Sequence, residues 1–217
     1  MLAKRLDIDA ESLGDPEAAH WSRFTARKVA LVATPVGLQN SKYILGKWVD
    51  GQFGQTGALG LQAAHNGSEL AFRLEWECAT RSDVPLDNDQ FADAAALLFP
   101  LSESAPLIMG AEGAPVNIWH WRADRPKAAR NNVAAGIGTS RLTNTGPAIT
   151  TRAVHQHGRW FLVLRRALVV NPPAPEAVQF EPGRNHKVAL AIWKGSNAER
   201  AGLKAYSPEW VELELEA

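Results

Sequence analysis

Strict period-two alternation in several short segments is the feature that most limits what this chain can fold into. In Leu70–Cys78, the side chains of Leu70, Phe72, Leu74, Trp76 and Cys78 share one side, while Ala71, Arg73, Glu75 and Glu77 share the other. Successive side chains of a strand point to opposite faces, so this reads as a half-buried antiparallel strand. Val116, Ile118 and His120 alternate in the same way with Asn117, Trp119 and Trp121. Near the carboxyl end, Trp210–Glu216 sets Val211, Leu213 and Leu215 against Glu212, Glu214 and Glu216, which makes a closing strand. Trp160–Val170 and Val188–Lys194 are apolar enough to be buried strands. Gly- and Pro-rich connectors such as Gly51–Gly60 and Asn171–Arg184 separate these segments. The one helical signal is Asn88–Leu98, with early acids, an alanine-rich middle and a stop at Pro100, which predicts a short helix. The pattern predicts an all-β fold, an antiparallel β-sandwich with long loops and one or two short helices. It also predicts a single domain over residues 1–217.

Composition narrows the function classes. Lys plus Arg equals Asp plus Glu, at 23 each, which argues against a chain built mainly to grip nucleic acid or an anionic membrane. No apolar run approaches the roughly 18 residues of a bilayer span, and the longest, near Trp160–Val170, is broken by Arg165 and Arg166. Cys78 is the only cysteine, so an internal disulfide, a Cys-based zinc site and an iron–sulfur cluster are excluded. The amino-terminal stretch MLAKRLDIDAESLGDPEAAHW lacks the apolar core of a secretory signal and carries several acids. The expectation is a protein that is cytoplasmic, trimmed, or exported with a partner that carries the signal.

The familiar catalytic signatures are missing: no Gly-x-Ser-x-Gly elbow, no phosphate-binding loop, no His-Glu-x-x-His and no dinucleotide fingerprint. The six histidines, His20, His65, His120, His155, His157 and His186, are scattered. Only His155 and His157 have the i, i+2 spacing at which two imidazoles on a strand could share a metal; the plainer reading makes them turn-flanking residues beside Gly158. His65–Ser68 reads as a turn into the Leu70–Cys78 strand.

Two segments depart from generic strand-and-turn composition. In Pro106–Asp124 (PLIMGAEGAPVNIWHWRAD), Met109 is the only methionine besides the initiator. It ends an apolar stretch before a Gly-rich turn, where a methionine ordinarily fills an irregular gap in the core. In Ala191–Trp210 (AIWKGSNAERAGLKAYSPEW), a buried strand ends at Trp193 and a polar loop runs through Asn197, Glu199 and Arg200 to Lys204. A loop lysine is ordinarily solvated.

Together these segments resemble the haem-binding gamma subunit of ethylbenzene dehydrogenase and its relatives, which include steroid side-chain, dimethylsulfide, selenate and chlorate enzymes. The family's Met-Gly turn and Pro-Val-x-x-Trp-x-Trp strand are matched by Met109, Gly110, Pro115, Val116, Trp119 and Trp121. Its Ala-Glu-Arg-x-Gly-x-Lys-x-Tyr-Ser stretch is matched by Ala198, Glu199, Arg200, Gly202, Lys204, Tyr206 and Ser207. A third match, AAHNGSELAFRLEW, covers Ala63–Trp76. The resemblance spans nearly the whole chain, is closest to the hydrocarbon-hydroxylating branch, and is weakest in the first 60 residues.

This resemblance implies a haem b with Met109 and Lys204 as axial ligands. The haem would be non-covalent, since one cysteine cannot form c-type attachment. A thioether favours ferrous iron and raises the potential, while a lysine of reference pKa about 10.4 ligates only when burial and the iron favour its neutral form. With both axial positions filled, the haem would relay electrons. The resemblance further implies a heterotrimer, periplasmic and co-exported with a signal-bearing partner. Its catalytic alpha subunit would hold a molybdenum cofactor and a cluster, and its beta subunit further iron–sulfur clusters. A soluble carrier such as a cytochrome c would take the electrons. Arg200 is expected at a haem propionate, at Glu199 or at a partner subunit; Trp119, Trp121, Trp193, Asn197 and Tyr206 are the other candidate haem contacts. The competing expectation is a carbohydrate-binding β-sandwich module without haem, suggested by the eight tryptophans.

Overall fold

Alternation becomes strands wherever one face can reach the core. The structure, a computed structural model, describes residues 1–38, 52–143 and 146–217, so Gly51 of the first connector lies outside the described residues. The strands run β1 (Leu2–Arg5), β2 (Arg27–Ala30), β3 (Val32–Ala33), β4 (Ala58–His65), β5 (Glu69–Glu77), β6 (Ala94–Pro100) and β7 (Val116–Arg122). They continue with β8 (Ala128–Ala134), β9 (Arg141–Leu142), β10 (Ile149–Gln156), β11 (Arg159–Ala167), β12 (Asn185–Trp193), β13 (Ala205–Tyr206) and β14 (Val211–Leu215). The one α-helix among the described residues, α1 (Ala10–Leu13), is capped by Asp9, whose carboxylate accepts from the Ser12 amide at 2.8 Å.

The all-β expectation holds, but the open sandwich is corrected. Ten strands form a hydrogen-bonded circuit in the order β14, β1, β4, β5, β11, β10, β8, β7, β6 and β12, and β12 pairs back onto β14. β1 runs parallel to both neighbours and so stitches one seam, while β10 joins β8 at the other. The two facing layers are therefore opposite sides of one closed, barrel-like sheet, which leaves those strands no free edge to template aggregation.

Between the layers lies an aromatic core. Phe72 of β5 packs on Phe99 of β6 and Trp119 of β7, with ring centroids at 5.6 and 5.9 Å. Trp121 meets Trp160 edge-on at 5.2 Å, and Trp76 lies beside both. The inward set expected for β5 (Leu70, Phe72, Leu74, Trp76, Cys78) is buried as a group, and so is the Val211, Leu213, Leu215 set of β14. Ala71, on the outer face of β5, is buried too, covered by Leu13 and Trp21 of the amino-terminal segment.

A second correction concerns Asn88–Leu98. No helix forms there; residues 94–100 are the strand β6, hydrogen-bonded between β7 and β12. Helix preference differs by under about 0.7 kcal/mol per ordinary residue, whereas burying Leu97 and Phe99 contributes about 1.5–3 kcal/mol each. Ala95, Leu97 and Phe99 face the aromatic core. Ala94, Ala96 and Leu98 face the opposite side, where small side chains leave space.

Candidate functional site

That space is a cavity of about 520 Å³, within the roughly 300–1,000 Å³ usual for small-molecule and cofactor sites. Its floor is the outer face of β12, β6, β7 and β8. One row across the floor is Ala191, Ala96 and His120; the next is Ala189, Leu98, Ile118 and Asn132. Alanines in both rows keep the floor low, while Leu107, Ile108, Ile137 and Trp193 make apolar walls. His120 is held neutral: burial first, and then the positive charge of Arg122, Arg130 and Lys204, push its pKa down to about 4.

Met109 enters the cavity from the turn between β6 and β7. Its backbone is left-handed, with φ 62°, a region that costs a side-chain-bearing residue about 1–2 kcal/mol. Neighbouring bonds impose it: the Gly110 amide donates to Pro106 O at 3.0 Å, and Met109 O accepts from the Gly136 amide at 2.8 Å. Gly110 also has positive φ, and a Cβ there would lie 2.9 Å from both Ala114 O and Ala134 O. Only glycine fits, so the Met-Gly pair is a fixed unit that delivers the methionine side chain. Strain of this kind persists where surrounding structure enforces it and often marks a working position. Met109 packs against the apolar patch that contains Ala94, Ala96, Val116 and Trp193.

Lys204 enters at the end of the loop that follows β12. Its ammonium sits 5.1 Å from the centre of the Trp193 ring. Burial pushes its pKa from the usual 10.5 down to about 8, with no opposing carboxylate among the described residues to hold the proton. The Lys204 carbonyl accepts from the Thr34 amide at 3.0 Å and from Thr34 Oγ1 at 3.2 Å, tying the backbone to the segment after β3. A soft thioether and an amine poised towards neutrality thus line the same apolar cavity. Both donor types can bind an iron whose remaining ligands lie in a planar macrocycle.

The other expected contacts divide. Trp193, Arg200 and Tyr206 line the cavity. Arg200 does not pair with Glu199; its guanidinium lies over the Phe91 ring at 4.5 Å. Trp119 and Trp121 project from the other face of β7 into the aromatic core, away from the cavity. Asn197 is a brace, its Nδ2 donating to Gln52 O at 2.8 Å and to Glu199 Oε1 at 3.1 Å. His155 and His157 do not converge: His155 Nε2 is bonded to Cys78 O at 2.7 Å, and His157 turns the chain with φ 50°. His65–Ser68 is the expected turn, with Asn66 Oδ1 accepting from Ser68 N and Glu69 N. His120 and the alanine floor were missed. The alternation of Val116, Ile118 and His120 was legible, but not that a cavity covers that face.

Fold and site define a class: a closed all-β scaffold that carries a cofactor-sized apolar cavity with one methionine and one desolvated lysine. The model of the ethylbenzene dehydrogenase family matches residues 18–146 and 134–205, and the chain belongs to that family. It is 33% identical over 210 residues to the chlorate reductase gamma subunit of Ideonella dechloratans, covering 96% of this chain and 82% of that one. A Haloferax mediterranei protein named as a respiratory nitrate reductase heme subunit is 32% identical over 200 residues, covering 91% of this chain and 67% of its own length. The dimethylsulfide dehydrogenase gamma subunit of Rhodovulum sulfidophilum is 30% identical, covering 91% and 73%. Among solved structures, a family 9 carbohydrate-binding module from Caldicellulosiruptor kristjanssonii shares the fold at TM-score 0.51 and 10% identity, covering 100% of this chain and 95% of the module.

Proposed function

We propose that this chain is the electron-transfer gamma subunit of a periplasmic molybdenum and iron–sulfur oxidoreductase, holding one haem b between Met109 and Lys204. The observation that carries this reading is that those two side chains line one cavity, one on an enforced left-handed backbone and the other desolvated with no counter-ion among the described residues. When bound, the haem would supply a one-electron iron couple, and Met109 and Lys204 are the residues that would hold it. Met109 offers its sulfur from the β6–β7 turn. Lys204 offers its amine, which burial has already brought close to the neutral form that can ligate. Leu98, Ile118 and Trp193 exclude water, and Ala94, Ala96 and Ala191 make room. Arg200, free of any carboxylate among the described residues, is a cation at the cavity wall suited to a haem propionate.

The names of the relatives support a place in a multi-subunit enzyme. Our reading has a catalytic molybdopterin alpha subunit and an iron–sulfur beta subunit as partners in a heterotrimer. Electrons pass from the clusters through this chain to an external acceptor such as a cytochrome c, or backwards in a reductase. Export would be with a signal-bearing partner; recovery of this chain in the cytoplasm while the catalytic subunit is periplasmic would refute that part. The carbohydrate-module reading is disfavoured by burial: Trp21, Trp76, Trp119, Trp121 and Trp160 are buried outside the cavity, leaving them no exposed face for stacking a sugar. A Soret band in the purified complex, with haem extractable by acid solvent, is the expected result. A colourless complex that binds glycans would overturn the proposal.

A further inference from the structure

The lysine loop is organised around a buried carboxylate that no cation pairs with among the described residues. Glu199 is 1% exposed. Its Oε2 accepts from the Lys194 amide at 2.8 Å. Its Oε1 accepts from the Gly54 amide at 2.7 Å, the Gln55 amide at 3.4 Å and Asn197 Nδ2 at 3.1 Å. All four partners are donors. A carboxylate is the one side chain that accepts through both of its terminal atoms without donating.

These bonds clamp two remote stretches together, residues 52–55 and the loop from Lys194 to Lys204. The clamp holds a backbone that would otherwise relax: Ala198 and Ala201, on either side of Glu199, are left-handed at φ 54° and 48°. Gly54 is left-handed as well, and a Cβ on it would meet Ala33 Cα at 2.5 Å and Lys204 O at 3.0 Å. At the other end of the loop, Asp93 Oδ1 accepts from the Gly195 amide at 2.8 Å, and Gly195 is so close to Phe91 O that no side chain fits. Trp193 Nε1 closes the assembly by donating to Ala201 O at 3.0 Å.

We infer that Glu199, which borders the cavity, is the positioning residue for the lysine ligand, setting through the loop backbone where the Lys204 amine stands. The inference rests on the haem reading above. Glu199→Gln is nearly isosteric, yet whichever way its amide is turned it presents a donor to the Lys194 amide or to the Gly54 amide. One buried hydrogen bond becomes a clash, and the loop that carries Lys204 shifts.

The test uses the purified complex, comparing wild type, Glu199→Gln and a core control, Leu164→Ala, which lies in the aromatic core away from the cavity. Optical and electron paramagnetic resonance spectra report the axial ligands, and thermal melting reports stability. The expected result is loss of the native low-spin signature in Glu199→Gln at neutral pH, with the control keeping it despite a lower Tm. Asn197→Ala, which removes one donor and spares the carboxylate, should shift the spectrum in the same direction but less, and it decides the matter if Glu199→Gln fails to assemble. A native spectrum in Glu199→Gln or, where that variant fails to assemble, in Asn197→Ala overturns the inference while leaving the haem reading intact. So does loss of the signature in the core control as well. Wild-type complex without haem overturns both.

Discussion

The Lys204 ammonium stands 5.1 Å from the centre of the Trp193 ring, with no carboxylate beside it among the described residues. A desolvated cation–π contact contributes about 2 kcal/mol, less than the burial that lowers this pKa to about 8. At neutral pH both folded and unfolded chains carry the proton, and the folded one bears a desolvation cost. Between pH 8 and 10.5 the folded lysine loses its proton first, so stability should rise with pH across that window. Lys204→Met should raise the Tm of the haem-free chain at pH 7, by about 2–4 °C per kcal/mol recovered. Its melting temperature should also lose the rise between pH 8 and 10.5. Melting curves at pH 7, 9 and 10.5 check this; equal pH dependence in the two proteins would contradict it.

The alanine floor predicts a variant that folds and cannot load. Ala96 pairs with Ala191 and His120 across the centre of the floor. Ala96→Leu would fill the cavity with a side chain that still suits a strand. Haemin titration should show binding at least tenfold weaker, with Tm unchanged or higher. Wild-type affinity would mean that the ligand sits elsewhere.

Met109 allows a separation of backbone strain from ligation. Alanine at φ 62° keeps the left-handed cost and glycine removes it. The Met109→Gly chain should therefore be more stable than Met109→Ala by about 1 kcal/mol in urea unfolding. Both should lose the methionine-ligated spectrum to the same extent. Equal stability of the two would show that the turn relaxes.

What was legible in the sequence follows from what period and propensity can carry. The alternation of β5 and β14 named both their strand character and their inward faces, because one side of each is charged. β7 was harder: its two faces, Val116, Ile118, His120 and Asn117, Trp119, Trp121, are each mixed, so period alone could not tell core from cavity. The indoles took the core and the smaller set took the cavity. Asn88–Leu98 failed for a related reason. Alanines that keep a cavity floor low look, in one dimension, like alanines that favour a helix. Met109 and Lys204 stand out in the sequence only through family likeness, since nothing in spacing foretells a left-handed methionine or a lysine with no carboxylate beside it among the described residues.

The division of the tryptophans gives a last expectation, because Trp121 and Trp193 should fail in opposite ways. Trp121 lies among Trp76 and Trp160, with its back to the cavity. Trp121→Phe should cost on the order of 1–3 kcal/mol of stability and leave the haem spectrum as it was. Trp193 covers the Lys204 ammonium and donates to Ala201 O in the loop that carries it. Trp193→Ala admits water to the amine, so the lysine pKa should climb back towards 10.5 and the amine should compete less well against protons for the iron. The measurable consequence is a low-spin spectrum that is lost on acidification at a higher pH in Trp193→Ala than in wild type, while Trp121→Phe keeps the wild-type midpoint. If Trp121→Phe moved that midpoint and Trp193→Ala did not, the cavity would not be where the lysine meets its metal.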